Sequence, residues 1–271
     1  MDNVTHTVVG ILIAQSAASK KTVRGTAAIV IGANLPDLDV LWCTNHTDYL
    51  AFHRGITHTP IAILAMVLGA ALALAVARRW WAAAPAPSTT RRWCLWFAVG
   101  LASHVVLDGL NSYGVRPFLP FSSRWMHGDL VFIIDPWIWG IGLAFLAMTA
   151  RDRAARVLAL AAAVVLAVTA WAVRNDRAPL WVPAGVATLL IAGVALRPVL
   201  RAVRPGTVAM SGLLALALYV AAAATLRSMV AARFMREYPQ WTAAARDIAL
   251  LPSPGDPSLW RIVVDDGKCY Q

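Results

Sequence analysis

The sequence has few charged residues and few cysteines, and each shortage excludes a class of protein. Charged residues make up 14% of the 271-residue chain, whereas soluble domains carry about 25%. The three cysteines, Cys43, Cys94 and Cys269, show no CxxC spacing, so neither a zinc ribbon nor a thioredoxin-like redox site is expected. The segment from Met1 to Ser19 lacks a basic region ahead of its apolar residues, so we expect no cleavable signal peptide.

Hydrophobic residues are abundant instead, and they form long runs. They make up 59% of the chain, and the mean hydropathy is +0.62. A helix needs about 20 apolar residues to cross the roughly 30 Å of hydrocarbon in a bilayer. The runs that approach this length are 4–19, 23–42, 60–77, 93–113, 130–150, 154–173, 180–196 and 207–227. The sequence therefore predicts an all-α polytopic membrane bundle of about eight helices with a short polar C-terminal tail.

The basic residues are distributed unevenly along this predicted bundle. When the runs are threaded alternately across a membrane, one side receives thirteen of the 24 Lys and Arg residues and one acidic residue, Asp152. Loops rich in Lys and Arg stay cytoplasmic, so we expect a protein of the bacterial cytoplasmic (inner) membrane with both termini outside. The net charge of +10 then needs no nucleic-acid partner, because a basic cytoplasmic rim contacts anionic lipid of the bilayer. The thirteen residues are Lys20, Lys21, Arg24, Arg78, Arg79, Arg91, Arg92, Arg151, Arg153, Arg156, Arg197, Arg201 and Arg204.

The same threading gathers most histidines and many aspartates on the extracytoplasmic side. His104 and Asp108 are four residues apart inside an apolar run, so they share one helical face. Asp37 and Asp39 follow Pro36, and a kink there lets one of them bind an ion while the other orients a histidine. Ionisable groups at membrane depth are costly and usually mark function. The gathered residues are His6, Asp37, Asp39, His53, His58, His104, Asp108, His127, Asp129 and Asp135.

This combination of residue types predicts a metal centre. Imidazole and carboxylate together suit zinc, manganese or iron, and a divalent cation offsets the repulsion within a carboxylate cluster. The candidates exceed what one four-coordinate ion uses, so we expect two or three ions, most simply Zn²⁺. The predicted ligands are His6, Asp37, Asp39, His53, His58, His104, Asp108, His127 and Asp135. The candidate catalytic residues are Asp39, Asp129 and Arg54, since an aspartate that does not bind metal can orient water or act as a base.

The segment 53-HRGITHTP-60 has the features of a ligand-bearing loop that ends at a helix. Pro60 suits the first helical position with Thr59 as its N-cap. Gly55 gives the loop conformational freedom, and the hydroxyl of Thr57 is placed to hydrogen-bond a ligand. We therefore expect His53 and His58 to be held by a loop just before the third apolar run.

These pieces resemble the DUF457/YdjM family of membrane-bound, predicted metal-dependent hydrolases. The resemblance covers roughly the first half of the chain, and HRG-x-TH at 53–58 is its most specific piece. The other pieces are His6 with Gly10, PDLD at 36–39, SHVVLDGLNSYG at 103–114 and the GD…IIDP stretch at 128–136. The family is distantly similar to zinc-dependent phospholipase C and the P1-type nucleases. The resemblance implies a metal-site role for His6, Asp37, Asp39, His53, His58, His104, Asp108 and Asp135.

Metal-assisted hydrolysis is the function that these observations favour. Arg54, Arg116 and Arg124 fall on the same predicted side as the cluster, and arginine binds phosphate through paired donors. A phosphoester of a lipid or lipid-linked molecule is therefore the expected substrate, with a lipid ester or amide as an alternative. A metal- or proton-coupled transporter is a second class, although the candidates crowd one end of the helices and no inverted repeat is evident. A regulatory or scaffold protein with a structural metal is a third.

These expectations divide the chain into three parts. Residues 1–150 form a metal-site membrane domain, residues 151–227 add transmembrane helices, and residues 228–271 form an extracytoplasmic tail. Cys43 and Cys269 fall on the same predicted side, and the sequence leaves open whether they pair. It also leaves open the oligomeric state.

Overall fold

A computed structural model describes residues 1–17, 23–80, 87–150, 152–174, 178–200 and 202–267. Most of this part is helical, and each predicted apolar run contains a helix, so the helical prediction is confirmed. The helices, in chain order, are α1 (Asn3–Ser16), α2 (Val23–Asn34), a 3₁₀ helix (Pro36–Trp42), α3 (His46–Phe52), a 3₁₀ turn (Ile56–His58), α4 (Pro60–Trp80), α5 (Pro87–Gly109), α6 (Pro136–Thr149), α7 (Asp152–Arg174), α8 (Trp181–Leu200), α9 (Pro205–Glu237) and α10 (Pro239–Ala244).

The C-terminal tail contains a small sheet, so the all-α prediction is wrong in this part. Strand β1 (Asp247–Ser253) pairs antiparallel with β2 (Asp256–Asp265). Gly255 lies in the connecting turn with φ +72°, a left-handed conformation that favours glycine. Pro252 and Pro257 lie within the strands, and because proline is rare inside strands, they conceal the hairpin pattern in the sequence. The hydrophobic side chains that the hairpin buries are Leu250, Trp260 and Val264.

Prolines set helix ends that hydropathy alone does not show. The second apolar run continues past Asn34 as a 3₁₀ helix, because Pro36 has no N–H to donate within an α-helix. In the run 130–150 the helix begins only at Pro136, where Asp135 caps it by accepting hydrogen bonds from two first-turn amides at 2.9 and 3.2 Å. Among the described helices, α4, α8 and α9 are long and apolar enough to cross a bilayer. The number of spans and the outward position of both termini stay predictions.

The described chain forms two compact units. The first consists of Met1–Gly109 and Tyr113–His127, and in it α2 packs against both α1 and α5. A Cβ added at Gly100 of α5 would lie 2.2 Å from the carbonyl oxygen of Ile29 in α2, so these two helices touch backbone to backbone. One turn beyond Gly100, this close packing brings His104 onto the end of α2.

The second unit consists of Leu110–Ser112 and Gly128–Gln271. Its helix α6 packs against α7, α8 and α9, and the indole N–H of Trp137 donates to the carbonyl oxygen of Gly255 in the hairpin turn at 2.8 Å. The three-part division into 1–150, 151–227 and 228–271 stays a prediction. Cys269 lies outside the described residues, as do Lys20, Lys21, Arg151 and Arg201.

Candidate metal centre

Four buried side chains of the first unit point their ligand atoms at one another. One ring nitrogen or carboxylate oxygen from each of Asp37, His58, His104 and Asp108 lies within 4.8 Å of the others. The two Nε2 atoms are 2.9 Å apart, and Asp108 Oδ2 lies 3.3 Å from that of His58 and 3.4 Å from that of His104. Asp37 Oδ1 lies 3.7 and 3.4 Å from the same nitrogens. Ligand atoms around a tetrahedral zinc ion are separated by about 3.3 Å, so the four residues fit a divalent metal.

Several kinds of local structure bring these ligand candidates together. His104 and Asp108 lie four residues apart near the end of α5 and share one face of it. Asp37 lies in the first turn of the 3₁₀ helix. His58 ends the 3₁₀ turn just before Thr59, whose Oγ1 accepts a hydrogen bond at 3.1 Å from the third residue of α4. The predicted N-cap is therefore confirmed, and it fixes the chain that carries His58.

Neighbouring groups fix the tautomers of the two histidines. His104 Nδ1 lies 2.8 Å from the carbonyl oxygen of Ala33, which only accepts, so Nδ1 carries the proton. The hydroxyl of Thr57 donates to Asp39 Oδ2 at 2.7 Å and accepts from His58 Nδ1 at 2.9 Å. Both Nε2 atoms therefore present lone pairs to each other and to the two carboxylates, an arrangement that a cation stabilises.

His6 lies at the edge of this group. Its ring stacks on that of His104 with the centroids 3.9 Å apart. Its Nε2 lies 3.2 Å from Asp108 Oδ1 and 4.0 Å from Asp37 Oδ2, and the Met1 amino group also contacts Asp108 Oδ1. The first group uses the other oxygen of each carboxylate, Asp37 Oδ1 and Asp108 Oδ2. Each carboxylate is therefore placed to bind one ion through each of its two oxygens.

Asp37 also belongs to a second group of possible ligands, with Asp39 and His53. Asp39 is the organising residue of this group, since its Oδ1 lies 2.6 Å from His53 Nδ1 and its Oδ2 accepts from the Arg54 amide at 3.1 Å and from Thr57. Asp39 thus contacts a histidine, as predicted for one of the two aspartates, and the ion-binding role of Asp37 stays a prediction.

The protonation states of the loop residues suit metal binding. Burial lowers the pKa of His58 to about 4, so its imidazole is neutral at pH 7. Neutral imidazole and ionised carboxylate are the forms that bind metals without first releasing a proton.

Arg54 is buried, only 2% exposed, although the sequence predicted that it faces the substrate. Its Nε lies 3.1 Å from Asp108 Oδ2 and its Nη2 donates to the Met1 carbonyl at 3.1 Å. The guanidinium also lies over the ring of Tyr113, 4.9 Å from its centroid. Arg54 therefore offsets negative charge within the cluster, and its predicted substrate and catalytic roles stay predictions.

The other predicted residues of the first unit lie nearer its surface. The guanidinium of Arg116 donates to the carbonyl oxygen of Ala51 and lies over the ring of Trp125 at 4.6 Å. Arg124 and His127 are exposed. Among the described residues, His127 belongs to neither ligand group. Its ligand role, and the substrate roles of the two arginines, stay predictions.

The two remaining aspartates have partners in α9 that the sequence did not suggest. In the second unit, Asp129 is buried and its Oδ2 lies 3.6 Å from Arg227 Nη2. Asp135, which caps α6, accepts a hydrogen bond from the Tyr219 hydroxyl at 2.8 Å and is in neither described ligand group. The sequence feature that could have suggested these contacts is a tyrosine, Tyr219, inside an apolar run that ends at Arg227. Polar groups at such positions usually pair with other polar groups of the protein. The metal role of Asp135 and the catalytic role of Asp129 stay predictions.

Comparison with known proteins identifies the family. The YdjM inner membrane protein family matches residues 1–179, which include all the residues of both ligand groups. The uncharacterized protein YfhP of Bacillus subtilis strain 168 is 31% identical over 159 residues, covering 55% of this chain and 46% of YfhP, so the match spans about half of that relative. No solved structure matches the chain. The chain therefore belongs to the YdjM family of inner membrane proteins, as its motifs predicted.

Proposed function

We propose that this protein is a membrane-embedded, metal-dependent hydrolase that cleaves a phosphoester in a lipid or lipid-linked substrate. The observation that carries the proposal is the buried set of Asp37, His58, His104 and Asp108, with imidazole lone pairs directed at carboxylate oxygens. Burying such groups is costly and is typical of functional sites. These four residues would hold one ion, and the second group of Asp37, Asp39 and His53, with His6 at the edge, would hold the others of two or three Zn²⁺ ions. Mn²⁺ or Fe²⁺ are alternatives.

The residues around the cluster have separable tasks in this proposal. When bound, a divalent ion supplies Lewis acidity that lowers the pKa of water and polarises a phosphoryl oxygen. Thr57 and the Ala33 carbonyl hold protons on the Nδ1 atoms of His58 and His104. Asp39 holds His53 at 2.6 Å and so orients that imidazole. Asp39 is also the proposed base, because a carboxylate beside the centre can orient the attacking water and accept its proton.

A phosphoester is proposed because arginine lies beside the cluster. Arg54 contacts Asp108 directly, and the main-chain N–H of Arg116 donates to the Arg54 carbonyl at 3.3 Å. Arg54 is buried and would add positive charge behind an anionic headgroup, while Arg116 and Arg124, which lie nearer the surface, would donate hydrogen bonds to it. The membership of an inner membrane family supports a substrate that resides in the bilayer.

The distribution of Lys and Arg supports a site on the extracytoplasmic side. This orientation is tested by replacing the exposed Thr47 with cysteine, in a variant whose native cysteines have been replaced by serine. A membrane-impermeant maleimide should label it in intact cells; labelling only after lysis would reverse the proposed orientation.

The activity is tested on purified protein in lipid nanodiscs. Metal content is measured by mass spectrometry, and turnover is measured on panels of phospholipids, lipid-linked phosphoesters, lipid esters and lipid amides. We expect zinc-dependent release of a phosphorylated product, which a chelator and His58→Ala abolish while the exposed His46→Ala retains it. Turnover confined to esters or amides would replace the phosphoester assignment. Uptake of labelled metal into proteoliposomes without turnover would establish a transporter. Tightly bound metal with neither turnover nor uptake would establish a structural metal site.

A further inference from the structure

Exposed apolar side chains alternate with the buried ligand candidates along the chain. In the 3₁₀ helix, Asp37 and Asp39 are buried, whereas Leu41 and Trp42 at its end are 75% and 73% exposed. This pattern places a hydrophobic surface directly beside the candidate metal centre, where a site for water-soluble substrates would have polar side chains.

The same pattern recurs in the two neighbouring segments. Phe52 and Ile56 flank the buried His53 and Arg54, and both are largely exposed. Phe121 is 86% exposed. It lies five residues after Arg116, whose main-chain N–H donates a hydrogen bond to the Arg54 carbonyl oxygen at 3.3 Å. We call these side chains the apolar rim: Leu41, Trp42, Leu50, Phe52, Ile56 and Phe121.

The segment that carries five of the six rim residues has little surface charge, whereas Arg124 is exposed three residues after Phe121. Between residues 38 and 56 the charged side chains are Asp39, Asp48 and Arg54. Asp39 and Arg54 are buried, and Asp48 is half-buried against Thr44, whose hydroxyl donates to it at 2.5 Å. Exposed apolar side chains that include aromatic residues are typical of contact with a membrane or with another protein.

The neighbouring helix α4 favours the membrane. It begins four residues after Ile56, is long and apolar enough to span a bilayer, and none of its most apolar stretch is buried by the protein. Its exposed residues Ile61, Leu64 and Leu68 follow helical spacing and form one stripe. A bilayer around α4 would cover this stripe and reach the rim at the end of the helix, at the level where tryptophan and other aromatic residues concentrate in membrane proteins.

We propose that the apolar rim lies in the interfacial zone of the bilayer, and that the candidate metal centre consequently takes an amphipathic lipid whose ester group approaches from the membrane. The position of the rim does not depend on the proposed function. The proposed substrate class does rest on the proposed function, because a substrate presumes that the centre is a hydrolase. The two parts therefore have separate tests.

Spin labels test the position of the rim. Single cysteines replace Leu41, Phe52 or Phe121 in a chain whose native cysteines are serine, and each carries a nitroxide in a lipid nanodisc. Leu68 of α4 supplies the reference for lipid, and the exposed Ser258 of β2 supplies the reference for water. We expect the rim labels to collide readily with oxygen and poorly with a soluble nickel chelate, as Leu68 does but at a shallower depth.

Two other results would overturn the proposal. If the rim labels collide with the nickel chelate as often as the label at Ser258 does, the rim lies in water. Labels closed to both reagents would mean that protein covers it, such as a second copy of this chain.

Turnover tests the substrate class. In a triple variant, Leu41→Ser, Trp42→Ser and Phe121→Ser, we expect turnover of a long-chain phosphoester in nanodiscs to fall at least tenfold, while turnover of a soluble short-chain phosphoester stays within twofold. An equal loss on both substrates would overturn membrane delivery. If the unmodified protein cleaves neither, the proposed function fails, and the spin-label result still decides where the rim lies.

Discussion

The Nε2 atoms of His58 and His104 lie 2.9 Å apart, although the two residues are separated by 46 positions in the chain. The opposite nitrogen of each ring is occupied by a local partner, Thr57 for His58 and the Ala33 carbonyl for His104. Two imidazole lone pairs that face each other beside two carboxylates are stabilised by a shared cation. This pair is therefore the centre of the candidate metal site.

Replacing either histidine of this pair should abolish stoichiometric zinc. We expect His58→Ala and His104→Ala each to weaken zinc binding by more than about 100-fold, since changes in groups that merely orient ligands already cost 10- to 100-fold. Zinc per chain and competition with a chromophoric chelator measure the effect. His46→Ala is the matched control, because His46 lies in α3 with an exposed side chain. Full zinc content in both ligand variants would refute the assignment.

Substitution of Asp37 should weaken zinc binding more than substitution of Asp39. Asp39 accepts from His53, Thr57 and the Arg54 amide, so Asp39→Asn should weaken zinc binding by about 10- to 100-fold. Asp37→Asn should cost more, because this carboxylate belongs to both ligand groups. The same competition assay compares them. Equal losses in the two variants would show that Asp39 is itself a ligand.

Gly55 is required by a close backbone approach. A Cβ there would lie 2.7 Å from the Phe52 carbonyl oxygen, next to Arg54, which itself has φ +56°. We expect Gly55→Ala to destabilise the protein by about 1–3 kcal/mol and to lower its thermal midpoint in detergent. Gly69→Ala in α4 is the control, since a Cβ at that position meets nothing within 4 Å and alanine favours helix by about 1 kcal/mol. Equal midpoints for the two variants would contradict this account.

Zinc affinity should depend on pH in a way that reflects buried histidine. Because burial lowers the pKa of His58 to about 4, protons compete with metal at this residue only in acid. We expect nearly constant affinity from pH 7 to about 5 and a steep loss towards pH 4. Calorimetric titration across this range checks it. A midpoint near 6.5, the pKa of an exposed imidazole, would contradict this account.

Asp135 provides a test of the sequence-based ligand set. Its carboxylate caps α6 and accepts from Tyr219. Tyr219→Phe should therefore cost about 1–2 kcal/mol of stability with zinc content unchanged, and Asp135→Asn should likewise keep its zinc. Thermal unfolding and metal analysis of the same preparations measure both effects. Loss of zinc in Asp135→Asn would establish the ligand role that the motif predicted.

The sequence by itself indicated the helical class, the six residues that form the two ligand groups and the start of α4. Those features depend on local chemistry: apolar runs of membrane length, a pair at helical spacing such as His104 and Asp108, and a cap followed by proline at Thr59. The family followed from the same short motifs. The hairpin escaped because prolines at 252 and 257 hide its strand pattern, while its turn depends on the backbone freedom of Gly255.

Only the tertiary structure decided how these residues divide their work. Packing of α2 against α5 at Gly100 brings His104 to the Ala33 carbonyl, and no sequence spacing encodes that contact. It also buried Arg54 against Asp108, made Asp39 a hub for His53 and Thr57, and gave Asp129 and Asp135 partners from α9. Sequence fixes which groups carry charge or lone pairs, but their roles depend on distances of about 3 Å between residues far apart in the chain, and these distances are set by how the helices pack.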